Sequence, residues 1–295
     1  MTIGTALRLL AVMVLWASCF PLITIGLDFA PHIAFAALRA TLAGICLIAL
    51  GALCGRPVPD SGRSWILIVV VGLGATSMGF LGMFHAAEFV SPGLATVIAN
   101  VQPIIAAVLA NVFLGERLKA IGKIGLAVGL AGIAVIAWPG FAADHVQGYS
   151  LGIAYVVLAA TGVSVGNIAI KHLAGQVDPI MAMGFQLLIG AAPLALLSIL
   201  TEDVSLLTWS AEFVLVLVAL SVLGSSLAFW LWFEALERVE LNRANALTFL
   251  VPVFGLMIGA AFFGERLEAI QIVGVVLVLT GILLVQRDAG SAVRR

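Results

Sequence analysis

The sequence predicts an all-α membrane protein, with ten transmembrane helices arranged as two inverted five-helix repeats. Three observations carry that reading. The 295 residues are 63% hydrophobic and only 10% charged, with a mean hydropathy of +1.21. A soluble domain carries about 25% charged residues, so a chain this apolar takes the bilayer as its solvent. The apolar residues fall in ten runs of about 20, the length that crosses a hydrocarbon core. The second half of the chain also repeats the first in register.

Shift the numbering by 149, the distance from Pro103 to Pro252, and Phe113 falls on Phe262. Gly115-Glu116-Arg117-Leu118 then falls on Gly264-Glu265-Arg266-Leu267. The register continues through Ile121/Ile270, Gly125/Gly274 and Gly132/Gly281, and backwards through Phe80/Phe229 and Phe84/Phe233. A gap-free match of this kind is an internal duplication.

In chain order the runs lie at 6–27, 32–54, 64–87, 93–114 and 119–138, then 148–170, 179–200, 211–235, 242–263 and 267–286. Charge or Pro/Gly clusters bound each one. The first, with Arg8 and Trp16-Ala17-Ser18-Cys19, superficially matches a signal peptide with a lipidated cysteine. Its apolar stretch continues to Leu27, too long for such a segment, and reads as a retained span. Residues 1–141 form the first repeat, 148–287 the second and 288–295 a cytoplasmic tail. Linkers are short except for 138–147, which joins the halves.

Lys and Arg set the orientation. With the N-terminus inside, twelve of the 14 fall on the inner side, Arg266 alone outside, and Arg39 within a span. Both termini are therefore expected in the cytoplasm of a bacterial-type inner membrane. An odd number of spans per repeat turns the second copy upside down. Inverted repeats are a common way for secondary transporters to obtain two access states around a midplane site.

The residues Ala86, Ala95, Pro103, Gly115-Glu116, Gly125 and Gly132 resemble the EamA-type module of the drug/metabolite transporter superfamily. Phe233-Glu234-Ala235, Pro252, Gly264-Glu265, Gly274 and Gly281 repeat the resemblance in the second half. It implies a central cavity lined by the first, third, fourth, sixth, eighth and ninth spans. It also implies export or exchange of small metabolites, often amino acids or related compounds. Aromatic amino-acid exporters of the family tend to carry Tyr and Trp in the cavity; here the only tyrosines are Tyr149 and Tyr155.

The candidate cavity residues follow from polarity at depth. Pro103 and Pro252 sit about ten residues into their spans, and each deprives a carbonyl, of Ala99 or Thr248, of its helical partner. In lipid that oxygen needs protein, water or ligand. Asn100 and Gln102 flank one proline; Asn245 and Thr248 precede the other. Either a kink facing a polar cavity or a packing kink answers the pattern.

Arg39 is the one charge well inside a span. It suits a substrate carboxylate or phosphate; alternatively it snorkels or pairs with Asp28 or Glu88. Ser164, Asn167 and Gln186 put polar groups inside the second half, as helix glue or cavity lining. Trp16, Phe84, Phe229, Trp230 and Trp232 are candidates for apolar cavity walls or a lipid-facing belt, and the belt suits Trp230 and Trp232 better. His85 and Glu234 hold matching repeat positions and are candidates for proton coupling.

Glu116 and Glu265 follow a glycine at a helix end and read as structural turn caps for the helix that follows. The glycines spaced seven apart, Gly125/Gly132 and Gly274/Gly281, read as close helix packing or as the seam of a homodimer.

Composition excludes other classes. A net charge of −1 with no basic run gives nucleic acid nothing to bind. Cys19, Cys46 and Cys54 read as small hydrophobes rather than disulfide or metal ligands. With no metal-ligand cluster, nucleophile motif or phosphate loop, neither an enzyme nor a cofactor is expected. The expected partners are a small-molecule substrate and the lipid bilayer. Multidrug efflux of cations is the alternative, and it calls for a deep carboxylate that the chain lacks.

Overall fold

The computed structural model describes residues 2–86, 99–141, 149–262 and 268–289. All of its regular structure in those residues is helical. The first repeat contributes α1 (Ile3–Leu27), α2 (His32–Leu53), α3, α4 (Gln102–Phe113) and α5 (Ala120–Phe141). The second contributes α6 (Tyr149–Leu173), α7 (Pro179–Thr201), α8 (Ala211–Leu236), α9 (Leu241–Phe262) and α10 (Ala269–Ala289). Here α3 joins Gly62–Val71 and Gly79–Ala86 through the segment Gly72–Met78. Nine helices among the described residues are long and apolar enough to cross a membrane. The shorter α4 is the described part of the tenth span, whose predicted start at 93 lies outside those residues.

The helix pairs obey the duplication. α5 lies along α10, and α2 along α7. The other contacts match when the repeats are exchanged. α3 meets α6 as α8 meets α1, α4 meets α6 as α9 meets α1, and α3 meets α7 as α8 meets α2. This is the packing of two inverted repeats about a pseudo-two-fold axis. Below, the end bearing the N-terminus and the Gly115 turn is termed proximal, and the end bearing Pro31 and Glu202 distal.

Lipid tails are as apolar as leucine, so backbone approach rather than hydrophobic burial holds such helices together. A Cβ on Gly125 would stand 2.7 Å from the carbonyl oxygen of Gly281, and one on Gly132 would stand 2.8 Å from that of Gly274. The glycine stripes thus seat α5 on α10 inside one chain. They are not available as the seam of a homodimer.

Two features depart from the predicted straight spans. Both α3 and α8 pass through a π-helical stretch, Gly72–Met78 and Leu220–Leu227. These stretches fall at the same repeat position. In addition, the prolines follow breaks rather than kinks. α9 stops at Leu247 and resumes at Leu250, with Pro252 in the first turn of the new helix. The Thr248 carbonyl there accepts from Val251 N–H at 2.9 Å. Likewise α4 starts at Gln102, with Pro103 in its first turn and the Val101 carbonyl taking the N–H groups of Ile104 and Ile105. Proline lacks only a donor that a first turn does not use.

Local caps start several helices: Thr2, Ser61, Asp178 and Ser210 each accept a backbone N–H in their own first turn. Three other helices are capped from a distance. Glu202 accepts from Ile33 and Ala34 at the start of α2, both at 2.8 Å. Asp288 accepts from Lys119 at the start of α5 (2.7 Å). Glu116 accepts from Leu241 (2.8 Å) and Asn242 (3.1 Å) at the start of α9.

Glu116 therefore caps α9 in the other repeat, not the helix that follows it. Its turn is made by Gly115 in the left-handed region (φ 69°), as a glycine past a helix end allows. Glu265 lies outside the described residues. Asp288, counted with the tail by sequence, is buried within α10.

Candidate functional site

Arg39 is 5% exposed and does not snorkel. Its Nε donates to Ser225 Oγ at 2.8 Å, and Nη2 reaches the Gly224 carbonyl (3.3 Å) and Cys19 Sγ (3.4 Å). The guanidinium carbon stands 4.8 Å from the Phe80 ring centroid, a cation–π contact. Asp28 is not its partner, and no carboxylate among the described residues pairs with it. Glu88 lies outside those residues. Gly224 makes the room, because a Cβ there would meet Cys19 Sγ at 2.4 Å and Arg39 Nη2 at 3.3 Å. The result is a buried cation held by dipoles and an aromatic face.

A second polar group is built from the breaks in α4 and α9. Asn245 Oδ1 accepts from Gln102 Nε2 (3.5 Å) and Asn167 Nδ2 (3.4 Å). These bonds are long. Asn167 Oδ1 in turn accepts the indole N–H of Trp232 at 2.9 Å. The hydroxyl of Ser164 has one proton for two carbonyls, Ala160 (2.7 Å) and Gln102 (3.2 Å). Asn245 is 1% exposed, and its Nδ2 is buried without a hydrogen-bond partner. An unpaired buried amide costs about 1–3 kcal/mol, so this cluster gains from a ligand able to accept its hydrogen bond.

Aromatic rings join the two groups. Trp16 packs on Trp232 (centroids 5.3 Å apart) and edge-on to Phe229 (6.3 Å). Phe229 sits one turn along α8 from Ser225, and Trp16 nearly one turn along α1 from Cys19. Trp232 is buried against Asn167, not in a lipid-facing belt; Trp230 is only half-buried.

The remaining candidates divide. Gln186 stands apart from the amide cluster and accepts the Thr76 hydroxyl at 2.8 Å, tying α7 to the π stretch of α3. Thr76 and Ser225 are 149 positions apart and Gln186 lies 147 after Arg39, so this bond and the Arg39–Ser225 bond occupy corresponding places in the two repeats. Phe84 is buried edge-on to Phe35 behind Phe80. Glu234 forms an i,i+4 ion pair with Arg238 near the proximal end of α8 and takes no part in the cluster. Thr248 turns its hydroxyl onto the Asn245 carbonyl (2.7 Å), and Asn100 is half-buried just before α4. His85 lies at the distal end, bonded to His32 at 2.7 Å.

Sequence reasoning missed Cys19, His32, Thr76 and Ser225. For the last two the signal was present. Ala75-Thr76-Ser77 and Gly224-Ser225-Ser226 are matching small and hydroxyl triplets in the duplicated register. Ser77 donates to the Gly190 carbonyl and Ser226 to that of Ala43, again in paired fashion.

An inverted-repeat bundle of apolar spans with a buried polar centre defines a multi-pass membrane transporter. The chain belongs to the EamA-like transporter family of the drug/metabolite transporter superfamily, which matches residues 4–138 and 150–287. It is 31% identical over 265 residues to a WAT1-related chloroplastic protein of Arabidopsis thaliana, covering 87% of this chain and 63% of that relative. It is also 31% identical over 290 residues to a probable terminal-alkyne amino-acid exporter of Streptantibioticus cattleyicolor, covering 95% and 92% of the two. A solved crystal structure superposes with a TM-score of 0.82 at 24% identity, covering 96% of each chain, which speaks to the fold.

Proposed function

We propose that this chain exports amino acids or closely related carboxylate metabolites across a bacterial-type plasma membrane, by alternating access between its repeats. Both termini face the cytoplasm in this reading, as the Lys and Arg bias requires. The observation that carries it is Arg39, a buried guanidinium without a carboxylate partner among the described residues. A substrate carboxylate supplies the missing charge and suits the planar fork. The amide cluster around Asn245 offers hydrogen bonds to the rest of a small polar solute. Trp16 and Phe229 give its side chain an apolar wall. The exporter named among the relatives points to the same substrate class.

Cationic drug efflux finds less support. It needs a carboxylate deep in the membrane, and every Asp and Glu among the described residues lies within about a turn of a helix end.

The test is overexpression in a bacterial host challenged with amino acids, their toxic analogues and cationic dyes. Resistance to analogues with lowered intracellular amino acid is expected. Resistance to dyes alone would overturn the reading.

A further inference from the structure

The amide cluster at the breaks in α4 and α9 holds one donor left without an acceptor, and its neighbours fix which atom that is. The indole N–H of Trp232 can only donate, so the atom of Asn167 facing it at 2.9 Å is the carbonyl oxygen, Oδ1. The other end of that amide is then Nδ2, again a donor only. It meets Asn245 at 3.4 Å, so the atom it meets is Oδ1. Gln102 Nε2 comes to the same oxygen at 3.5 Å. Asn245 Nδ2 is left over. It is buried, and no acceptor among the described residues reaches it. Turning the Asn245 amide over would set Nδ2 against Asn167 Nδ2, which Trp232 holds in place. The cluster therefore cannot satisfy this donor from within.

Asn245 also lies within reach of the Arg39 site. Ser225, which holds Arg39, and Trp232, which holds Asn167, are seven residues apart on α8, about 10 Å along the axis. Trp16 packs on Trp232 and Phe229 within that interval. A short amino acid with a hydrogen bond at each end covers such a length.

We propose that Asn245 is the specificity-determining donor of the transport site. It selects solutes that carry an uncharged hydrogen-bond acceptor, such as a carboxamide oxygen, at the end remote from the carboxylate. This rests on the reading of Arg39 as the carboxylate site.

The end groups a solute can offer differ in what they do to the donor. An alkyl end leaves Nδ2 unpaired. An ammonium sets donors against a donor. A second carboxylate accepts the bond but buries a charge among neutral groups, without a counter-charge. Charged side chains lie a turn away and are engaged elsewhere. Lys171 Nζ donates to the carbonyls of Leu236 (2.7 Å) and Val239 (2.9 Å), and Glu116 holds the N–H groups of Leu241 and Asn242. A carboxamide or carbonyl oxygen supplies the acceptor without a charge. A site built to hydrogen-bond its substrate rejects analogues that lack the group. Trp232 is a positioning residue here: without its N–H the Asn167 amide is free to turn over, and the order of donors is lost.

The experiment measures binding to the full-length protein in nanodiscs of L-glutamine and of L-homoleucine, in which an isopropyl group of the same shape replaces the carboxamide. L-ornithine is the cationic probe. Glutamine is expected to bind at least about tenfold more tightly than either. In Asn245→Ala and in Trp232→Phe the glutamine-to-homoleucine ratio should fall to within about threefold. Structural damage alone weakens both probes alike and leaves the ratio unchanged. Equal binding of glutamine and homoleucine to the wild type would overturn the proposal, with a water rather than the solute satisfying Asn245. So would a ratio that survives in either variant. The Arg39 reading fails separately, through binding that persists in Arg39→Gln. Absence of binding by every probe would overturn both.

Discussion

Arg39 donates through Nε to the hydroxyl of Ser225, 2.8 Å away in the π-helical stretch of α8. The counterpart of Ser225 in the first repeat is Thr76, which donates to Gln186 at 2.8 Å in the π-helical stretch of α3. One crossing thus carries a charge and the other an amide. The duplicated frame is the same, and only one copy has been given the group that attracts an anion. π-helical stretches within α-helices often mark functional sites, and here the one in α3 packs on α7 and the one in α8 packs on α2.

Arg39 supplies the first prediction. Arg39→Gln should reduce substrate export at least about tenfold, which corresponds to about 1.4 kcal/mol, with membrane protein level unchanged. Arg39→Lys should recover only part, because an ammonium cannot reproduce the planar fork. Export assays alongside immunoblots decide it. Disappearance of the folded protein in both variants would make the residue structural.

The Trp232 indole N–H on Asn167 Oδ1 predicts a coupling. Trp232→Phe should cost about 1–3 kcal/mol by leaving a buried carbonyl oxygen unpaired. Asn167→Ala in the Trp232→Phe background should cost less than it does alone. A double-mutant cycle on thermal unfolding in detergent measures the difference, and strict additivity would remove the bond from the account.

The α5–α10 contact makes a steric prediction. Gly125→Leu forces a side chain against the Gly281 backbone, which a Cβ alone would already approach to 2.7 Å. Overpacking of this kind costs about 1–3 kcal/mol or more. The melting temperature should fall while Gly55→Ala, with nothing within 4 Å, acts only through its left-handed backbone. Equal melting of Gly125→Leu and wild type would contradict the packing.

Glu240 makes a prediction about pH. Desolvation, followed by the charge of Glu116, pushes its carboxyl above the usual carboxylate range. The folded state then binds this proton more tightly than the unfolded state does. Ionised Glu240 therefore opposes folding at neutral pH, and the penalty fades as pH falls toward the ordinary value of about 4.3. Glu240→Gln should raise the melting temperature near pH 7 and lose that advantage near pH 4. A gain that is constant across this range would show that charge is not the cause.

Much of the architecture was legible before any coordinates. The ten spans start and stop within a few residues of their predicted bounds wherever they are described, because lipid forces an unbroken apolar run into a helix. The duplication was legible because it is written in register. What failed was pairing. Glu116 was read as a cap for its neighbour α5, yet its oxygens serve Leu241 and Asn242 in the other repeat. Trp232 was read toward lipid, yet it faces Asn167. Pro252 was read as a kink, yet it begins a new helix after a break at Thr248.

The sequence alone determined that the protein is a membrane-spanning helical bundle, duplicated and inverted, and it named most of the polar residues that matter. Those are local properties, set by run length, periodicity and the bilayer's intolerance of unpaired backbone. Only the tertiary structure decided which of those residues meet. His32 finds His85 across 53 positions and Arg39 finds Ser225 across 186. Such meetings depend on how each helix is rotated about its axis, and that rotation is set by the packing of every neighbour at once.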